Sequence, residues 1–502
     1  MDRRTFLKIG GAFFVLSSSC DFKDKTPQNK LLSYGITLDS NRKIGHIARK
    51  AILKPVVKQL KTDMLIVGGG IAGLAAACSL KGRAFTLCEM NETLGGTSGA
   101  VNINGTLFGQ GAHYDLSYPE YYGKEALELL KKLNVIEWSA SNKRWDFVDK
   151  QYLINPNKEE QCYAGGSFLP SVLPPGELKT NMLDLLRPYI GKTKLPTTEV
   201  SPELHHLDKI SFYDYLKKYL PITDEFIASI DYQMLDDYGG TSMEVSALAG
   251  IHYYTSRPYF SQPEPELFSP PEGNYYFIRK MEKTLTAQSI KTGHLITGIE
   301  NKGDHWVTQA WDVKAEKKIE FKSNNIIYAG QKHLLKYLYP AAHEQFEDTN
   351  YAPWVVVNIE LTESLGNNHY WQNDYLSANS QFLGFVDSGA QKNANGNVLT
   401  AYYCYPGIYH HMVEEIENNP RQIVQETIGY LSKYYQTEIE SKVKHAYVKL
   451  LGHAMPVPTP GFITKPKPTE KSTLTFAGVD TGRLPLMLDA LDSGIQAAKL
   501  SI

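Results

Sequence analysis

The stretch DMLIVGGGIAGLAAACSLKGRAFTLCE, residues 63–89, constrains the fold more than any other part of the chain. Met64 to Val67 is a short apolar run suited to a strand buried on both faces. Gly68, Gly70 and Gly73 follow as G-x-G-x-x-G, and Ile71 to Leu80, with Ala72 in its first turn, continues at helical density. Ala84 to Cys88 is a second apolar strand, ending at Glu89. Gly68 allows a tight turn out of the strand. Gly70 lets the backbone approach a pyrophosphate at the helix N-terminus, where unpaired N–H groups and the positive end of the dipole lie. Gly73 lets the helix pack against the sheet, and Glu89 can accept hydrogen bonds from a ribose. Strand, glycines, helix and acid in this order predict a dinucleotide site, with Gly68, Gly70, Ala72, Gly73 and Glu89 as its contacts.

The next stretch, MNETLGGTSGA, places Gly95, Gly96 and Thr97 shortly after the acid. Near the other end, LTFAGVDTGRLPLMLDALDSGIQAAKL carries Gly478, Asp480, Met487, Leu488, Ala490, Ser493, Gly494 and Ala497-Ala498. Together these segments resemble the flavin-containing amine oxidase superfamily, in which a second glycine pair and a closing helix bind FAD. Asp480 stands where monoamine and polyamine oxidases usually have Glu. The resemblance implies FAD as the cofactor. Gly111 and Ala112 in GQGAHYDL would lie beside the flavin, and Ile296 on the strand that meets the adenine.

Sites some 400 residues apart must then return to one place. The expected fold is α/β, with a Rossmann-like FAD-binding domain assembled from separated segments and interleaved with an α+β substrate domain. Residues 61–114, 271–349 and 446–502 would form the FAD-binding parts, and 115–270 and 350–445 the substrate domain. HWVTQAW and KKIEFKS read as a small meander, and NNIIYAG as a separate buried strand. PWVVVNIELTES and VLTAYYCYP read as strands, KEALELLKKL and SFYDYLKKYL as helices, the latter with Ser211 and Asp214 as a cap pair.

Classical members of the superfamily place two aromatics and a water-holding lysine around the flavin. Here Ala454 and Leu486 fall at the aromatic positions, and Trp354 aligns loosely with the lysine. His453 falls where covalent members carry the flavin-linked cysteine. It is a candidate for flavin attachment, for a hydrogen bond to the ring, for a general base, or for loop support. His113 is the second catalytic candidate and Trp354 the third; Tyr114, Tyr403 and Tyr405 are candidate lining aromatics.

The chain opens MDRRTFLKIGGAFFVLSSSC. Arg3 and Arg4 precede an apolar run well under the ~20 residues that span a bilayer. This resembles a twin-arginine signal, whose translocon carries folded, cofactor-loaded cargo. Cys20 resembles a lipoprotein cysteine, although Ser17 departs from that pattern. Residues 1–20 would be the signal and 21–60 a tether and N-terminal extension, giving an exported bacterial protein of the periplasm or cell envelope, with a lipid on Cys20 as its membrane anchor.

Among 502 residues, a net charge of −2 and the lack of basic runs elsewhere argue against a nucleic-acid binder. Five cysteines show no metal spacing, so no metal is expected. Cys78 and Cys88 read as buried thiols, while Cys162 and Cys404 could pair after export. The leading function is an FAD-dependent oxidoreductase removing a hydride from a small-molecule substrate such as an amine or polyamine. The alternatives are a flavin-dependent desaturase or isomerase on an apolar substrate, or a non-catalytic flavin-binding protein. An acid-lined cavity would favour polyamines, and a dry apolar one the desaturase or isomerase.

Overall fold

The strand that opens the dinucleotide motif is three times longer than its apolar stretch. Met64 to Val67 is its buried end, and the strand runs back to Val56 through a mostly exposed half, VVKQLKTD. The structure is a computed structural model that describes residues 33–501, apart from 51, 81, 113–118, 120–121, 194, 257–266, 367–368, 378–379, 392–393, 395 and 408–409. His113, Tyr114, the arginine pair and Cys20 therefore lie outside the described residues.

In chain order the elements that position the site begin with β1 (Gly35–Ser40), β2 (Val56–Val67), α1 (Ile71–Ser79) and β3 (Phe85–Cys88). Next come β4 (Glu160–Ala164), β5 (Ser167–Leu169), α2 (Phe212–Tyr219) and α3 (Asp224–Tyr238). β6 (Ile290–Lys291), β7 (His294–Asn301), β8 (Trp306–Asp312) and β9 (Lys317–Tyr328) follow. Then come β10 (Tyr351–Leu361), β11 (Gln372–Leu376), β12 (Phe382–Asp387), β13 (Asn397–Cys404) and α4 (Pro420–Tyr435). β14 (Val443–Pro456), β15 (Leu474–Phe476) and α5 (Met487–Leu500) complete the set.

Two large sheets result among the described residues. The nucleotide sheet has the order β6-β3-β2-β9-β8-β7, with β15 paired to β9. β2 is parallel to both β3 and β9, and β7, β8 and β9 form an antiparallel meander. The second sheet has the order β1-β14-β10-β13-β12-β11-β4-β5. This is the expected α/β architecture, with a Rossmann-like domain drawn from separated segments.

Some boundaries differ from the sequence reading. KKIEFKS and NNIIYAG are one strand, β9, because it pairs with the whole of β2, from Lys318 opposite Val56, through one irregularity at Ile319, to Tyr328 opposite Val67. β2 thus runs through the 60/61 boundary. β14 runs through the 445/446 boundary, since Val443 to Pro456 pairs along β10 on the second sheet, with register irregularities near Trp354 and Leu361. Residues 35–49, read as part of an extension, are ordered into a strand and two short helical turns. Ser211 caps α2 as expected: its Oγ accepts from Asp214 N at 3.0 Å and donates to Asp214 Oδ2 at 2.8 Å. Cys162 and Cys404 are buried free thiols, because β4 and β13 are separated by β11 and β12; Cys88 is buried and Cys78 half-buried.

The main core lies around α1, whose residues from Ile71 to Ala77 are all buried. Its packing is backbone on backbone. A Cβ at Gly73 would lie 1.9 Å from Gly68 O, and one at Gly494 of α5 would lie 2.1 Å from Ala72 O. Gly494→Val should accordingly force α1 and α5 apart and cost about 3 kcal/mol or more. The readout is a large fall in the thermal unfolding midpoint; an unchanged midpoint would show that the two helices tolerate separation.

Candidate functional site

Gly68 leaves β2 at φ +104°, where a Cβ would press on Ala329 O at 2.9 Å, so only glycine makes this turn. Gly70 then caps α1 without a side-chain hydrogen bond, which leaves the first-turn N–H groups facing the cavity. A Cβ at Gly70 would have no atom nearer than 3.9 Å, so the glycine keeps open space rather than relieving a clash. Gly95 (φ +136°) bridges to Gly70, its N–H donating to Gly69 O at 2.9 Å, and Gly96 (φ +57°) packs against Gly70 Cα. Ala112 N donates to Thr97 O at 3.0 Å, and a Cβ at Gly111 would strike that same oxygen. The two glycine loops and the 111–112 backbone are thus one interlocked surface.

Glu89 ends β3 beneath this surface. Its Oε2 accepts from Gly69 N at 2.7 Å and its Oε1 from Asn91 N at 2.9 Å. Burial pushes its carboxyl above the ordinary value, opposed by the N–H groups of Asn91, Gly69 and Met90. The acid therefore holds the glycine turn in shape as well as lining the cavity.

The cavity has a volume of about 680 Å³. Of the candidates read from sequence, Gly68, Gly70, Ala72, Glu89, Gly95, Gly96, Thr97, Gly111, Ala112, Ile296, Trp354, His453, Gly478, Asp480 and Met487 line it. Gly73 and Leu488 do not. Gly73 lies at the α1 packing contact, and Leu488, at the start of α5, is buried in the core beside α1. The spacing that put Leu488 next to Met487 could not show that the helix turns it away.

Asp480 proves to be the centre of a buried network. Lys332 Nζ donates to Asp480 Oδ1 at 2.9 Å, Gly330 O at 2.9 Å and Ala477 O at 2.6 Å, which accounts for all three of its donors. Asp480 Oδ2 accepts from Lys332 N and from Tyr351 Oη, each at 2.9 Å. Lys332 is 0% exposed; desolvation lowers its pKa and the Asp480 charge opposes that shift. Burial, and then Asp480, raises the Tyr351 phenol well above its ordinary value. Sequence reading missed Lys332, because nothing in GQKHLLK distinguishes a buried lysine from a surface one.

His453 stacks on His333 at 3.8 Å with an interplanar angle of 16°, and Tyr351 meets it edge-on at 5.6 Å. Both histidines line the cavity, and Gln331 Nε2 holds His453 O at 2.5 Å. Ala454 and Leu486 also line it, so no aromatic stands at the two positions where the resemblance would place them. An aromatic pair comes from elsewhere: Trp354 on β10 and Tyr402 on β13 face the cavity with ring centroids 6.2 Å apart. Tyr403 and Tyr405 are not among the lining residues. Strand alternation turns Tyr403 to the opposite face, where its hydroxyl pairs with Thr427 of α4 at 2.9 Å.

Charge divides the cavity into two ends. Asp236 and Asp237 of α3 and Asp374 of β11 line the end formed by the second sheet, with Tyr232, Trp371 and Tyr402. Asp374 accepts from Tyr232 Oη at 2.8 Å and Gln372 Nε2 at 2.9 Å. Burial, then Glu160, raises its carboxyl well above the usual range. Among the described residues the Lys or Arg side chains on the lining are Arg42 and Arg49, both on the segment that crosses from the second sheet to the nucleotide sheet.

Comparison with known proteins agrees with this architecture. The family described as NAD(P)-binding Rossmann-like domain matches residues 66–133. A carotenoid 3,4-desaturase from Haloarcula japonica is 39% identical over 71 residues, which is 12% of this chain and only 14% of that relative. Wild-type putrescine oxidase bound to putrescine superposes with a TM-score of 0.62 at 16% identity, covering 88% of this chain and 99% of the other. Cyclohexylamine oxidase from Brevibacterium oxydans IH-35A gives 0.60 at 14% identity, covering 87% and 98%. The chain therefore has the fold of these amine oxidases.

The Lys332–Asp480 pair offers a direct test of the network. Lys332→Met leaves a buried carboxylate without its cation and should cost about 3–5 kcal/mol. Lys332→Met with Asp480→Asn should recover part of that loss in a urea titration. If the double variant is as unstable as the sum of the single ones, the two groups are not coupled.

Proposed function

We propose that this chain is an FAD-dependent oxidoreductase that removes a hydride from a small cationic amine. The observation that carries the amine is the lining of the second-sheet end, where among the described residues three carboxyl side chains, Asp236, Asp237 and Asp374, collect. Carboxyls on a cavity wall, with Asp374 buried and Asp236 and Asp237 half-buried, favour an ammonium group over a neutral hydrocarbon, which speaks against the desaturase or isomerase alternative.

The residues present fit the proposed cofactor. The uncapped start of α1 and the open space over Gly70 suit a pyrophosphate, and Glu89 suits a ribose. Ile296, Gly111, Ala112 and Met487 extend the same wall on either side. FAD held there would supply the hydride acceptor. The work of the chain is then placement. Trp354 and Tyr402, whose ring planes meet at 64°, give an aromatic corner for the substrate carbon, and Asp236, Asp237 and Asp374 hold an ammonium beside it. His453, braced by His333 and Tyr351, is a positioning group at the junction of the two ends.

The protonation of Asp374 gives the binding a pH dependence of known sign. Its pKa is raised by burial, so it binds a proton more tightly than an ordinary carboxyl, and an ammonium competes with that proton. Inhibition by tetramethylammonium, which carries no titrating proton, should weaken as pH falls through the raised range. Asp374→Asn should flatten the profile; an identical slope in that variant would remove Asp374 from the amine site.

The twin-arginine pattern of Arg3-Arg4 supports export in folded form through that translocon, with Cys20 as a point of lipid attachment to the membrane. No helix among the described residues is long and apolar enough to cross a membrane.

The deciding experiment is the visible spectrum of the purified protein, followed by anaerobic addition of a diamine, a monoamine and a neutral alkene. Flavin bands bleached by the diamine are expected. Asp236→Asn should keep the bands and lower kcat/KM for the diamine about 10- to 100-fold. Bleaching by none of them, with dithionite still effective, would favour the non-catalytic alternative. Replacing Arg3 and Arg4 by lysine should retain the protein in the cytoplasm, read by cell fractionation.

A further inference from the structure

Residues 35–49 bridge the two sheets across the nucleotide end of the cavity. β1 adds to the edge of the second sheet parallel to β14, with Gly35 opposite His445 and Ser40 opposite Leu450. Polar ties hold it there: Lys449 Nζ to Asp39 Oδ2 at 2.6 Å, His445 Nε2 with Thr37 Oγ1 at 2.8 Å, and Ser40 Oγ to Glu417 Oε1 at 2.6 Å. Arg42 pairs with Glu417 at 2.9 Å and Glu414 at 2.7 Å. The chain then crosses to the nucleotide sheet. Ala48 is buried with Val67, Cys88, Leu295 and Ile296, and Ile44 and Ile47 pack on the same cluster. Both ends of the crossing are thus anchored, and its middle forms cavity wall through Asn41, Arg42, Gly45, His46 and Arg49.

The charges on this wall have unequal freedom. Arg42 is neutralised by two glutamates. Burial, and then Arg49 and Arg42, lowers the His46 pKa below that of an ordinary imidazole. Arg49 is exposed, lies 5.9 Å from the Tyr337 ring centroid, and pairs with no carboxylate among the described residues. The chain has no Lys or Arg from 84 to 123, so the glycine loops themselves bring no cation to a dinucleotide. A phosphate bound on the α1 N-terminus would meet backbone dipoles alone unless a charge arrives from outside the motif.

We infer that the 40–49 crossing is a binding wall for the adenosine half of the cofactor, and that Arg49 is its cationic contact to the phosphates. The inference rests on the FAD reading above. It makes the N-terminal segment part of the cofactor site rather than a tether. It also separates the two halves of FAD: the crossing touches the nucleotide end and leaves the flavin end to His453, Trp354 and Met487.

The test compares the wild-type, Arg49→Gln and Arg49→Lys proteins as purified. FAD release is followed by the gain in flavin fluorescence, and ADP affinity by its displacement of bound FAD or by calorimetry. Arg49→Gln should release FAD about 10-fold faster and bind ADP about 10-fold more weakly, with the difference shrinking at high salt. Arg49→Lys should restore most of both, and riboflavin affinity should be the same in all three. Unchanged FAD release and ADP affinity in Arg49→Gln would overturn the inference, as would an equal loss of riboflavin affinity. If the wild-type protein takes up no flavin yet binds ADP, the FAD reading fails while the ADP comparison still decides the role of Arg49. Binding of neither would overturn both.

Discussion

The architecture depends on one contact: the backbone of the α1 turn lying against the backbone around it. The carbonyl of Gly68 occupies the place where a Cβ of Gly73 would be, and the carbonyl of Ala72 the place where a Cβ of Gly494 would be. Such approaches bring β2, α1 and α5 together although α5 is encoded some 400 residues later. They also fix the cavity floor, because the same turn accepts Glu89 on one side and the Gly95–Gly96 loop on the other. A close-packed interior leaves little room for this arrangement to drift.

From that floor the two sheets diverge and take on opposite electrostatic characters. The nucleotide end is built from backbone N–H groups with Arg49 on its N-terminal wall, which suits phosphates. The second-sheet end is built from aromatic faces and carboxyls, which suits a small cation with an apolar body. Between them the buried Lys332–Asp480–Tyr351 network adds no net charge from its ion pair and holds the loop after β9 to the loop after β15. Its value lies in position more than stability, since a fully satisfied buried pair extends the β9–β15 pairing into the two loops that follow those strands.

The candidate site was legible where function is carried by backbone. Gly68, Gly70, Glu89, Gly95 and Gly96 stand out because only certain residues permit the turn, the close approach and the terminal acid, and that rule is local. Side-chain direction was much less legible. Tyr402 rather than Tyr403 faces the cavity because of strand parity on the second sheet, and parity is set by partners on β10 and β12. Leu488 was read with Met487 for the same reason: adjacency in sequence says nothing of which side of α5 packs on α1. Arg49 and Lys332 carried no signal, since an isolated cation looks the same on a surface, on a cavity wall or in a core.

The sequence alone determined the dinucleotide motif, the return of its closing helix and hence the interleaved α/β fold, because glycine spacing and apolar runs express short-range steric rules. Tertiary structure alone decided which aromatics form the corner, where the carboxyls collect, that β1 is sheet and not tether, and that Asp480 is neutralised by Lys332. Those outcomes depend on which distant segments become neighbours, and burial converts that choice into charge, direction and shape.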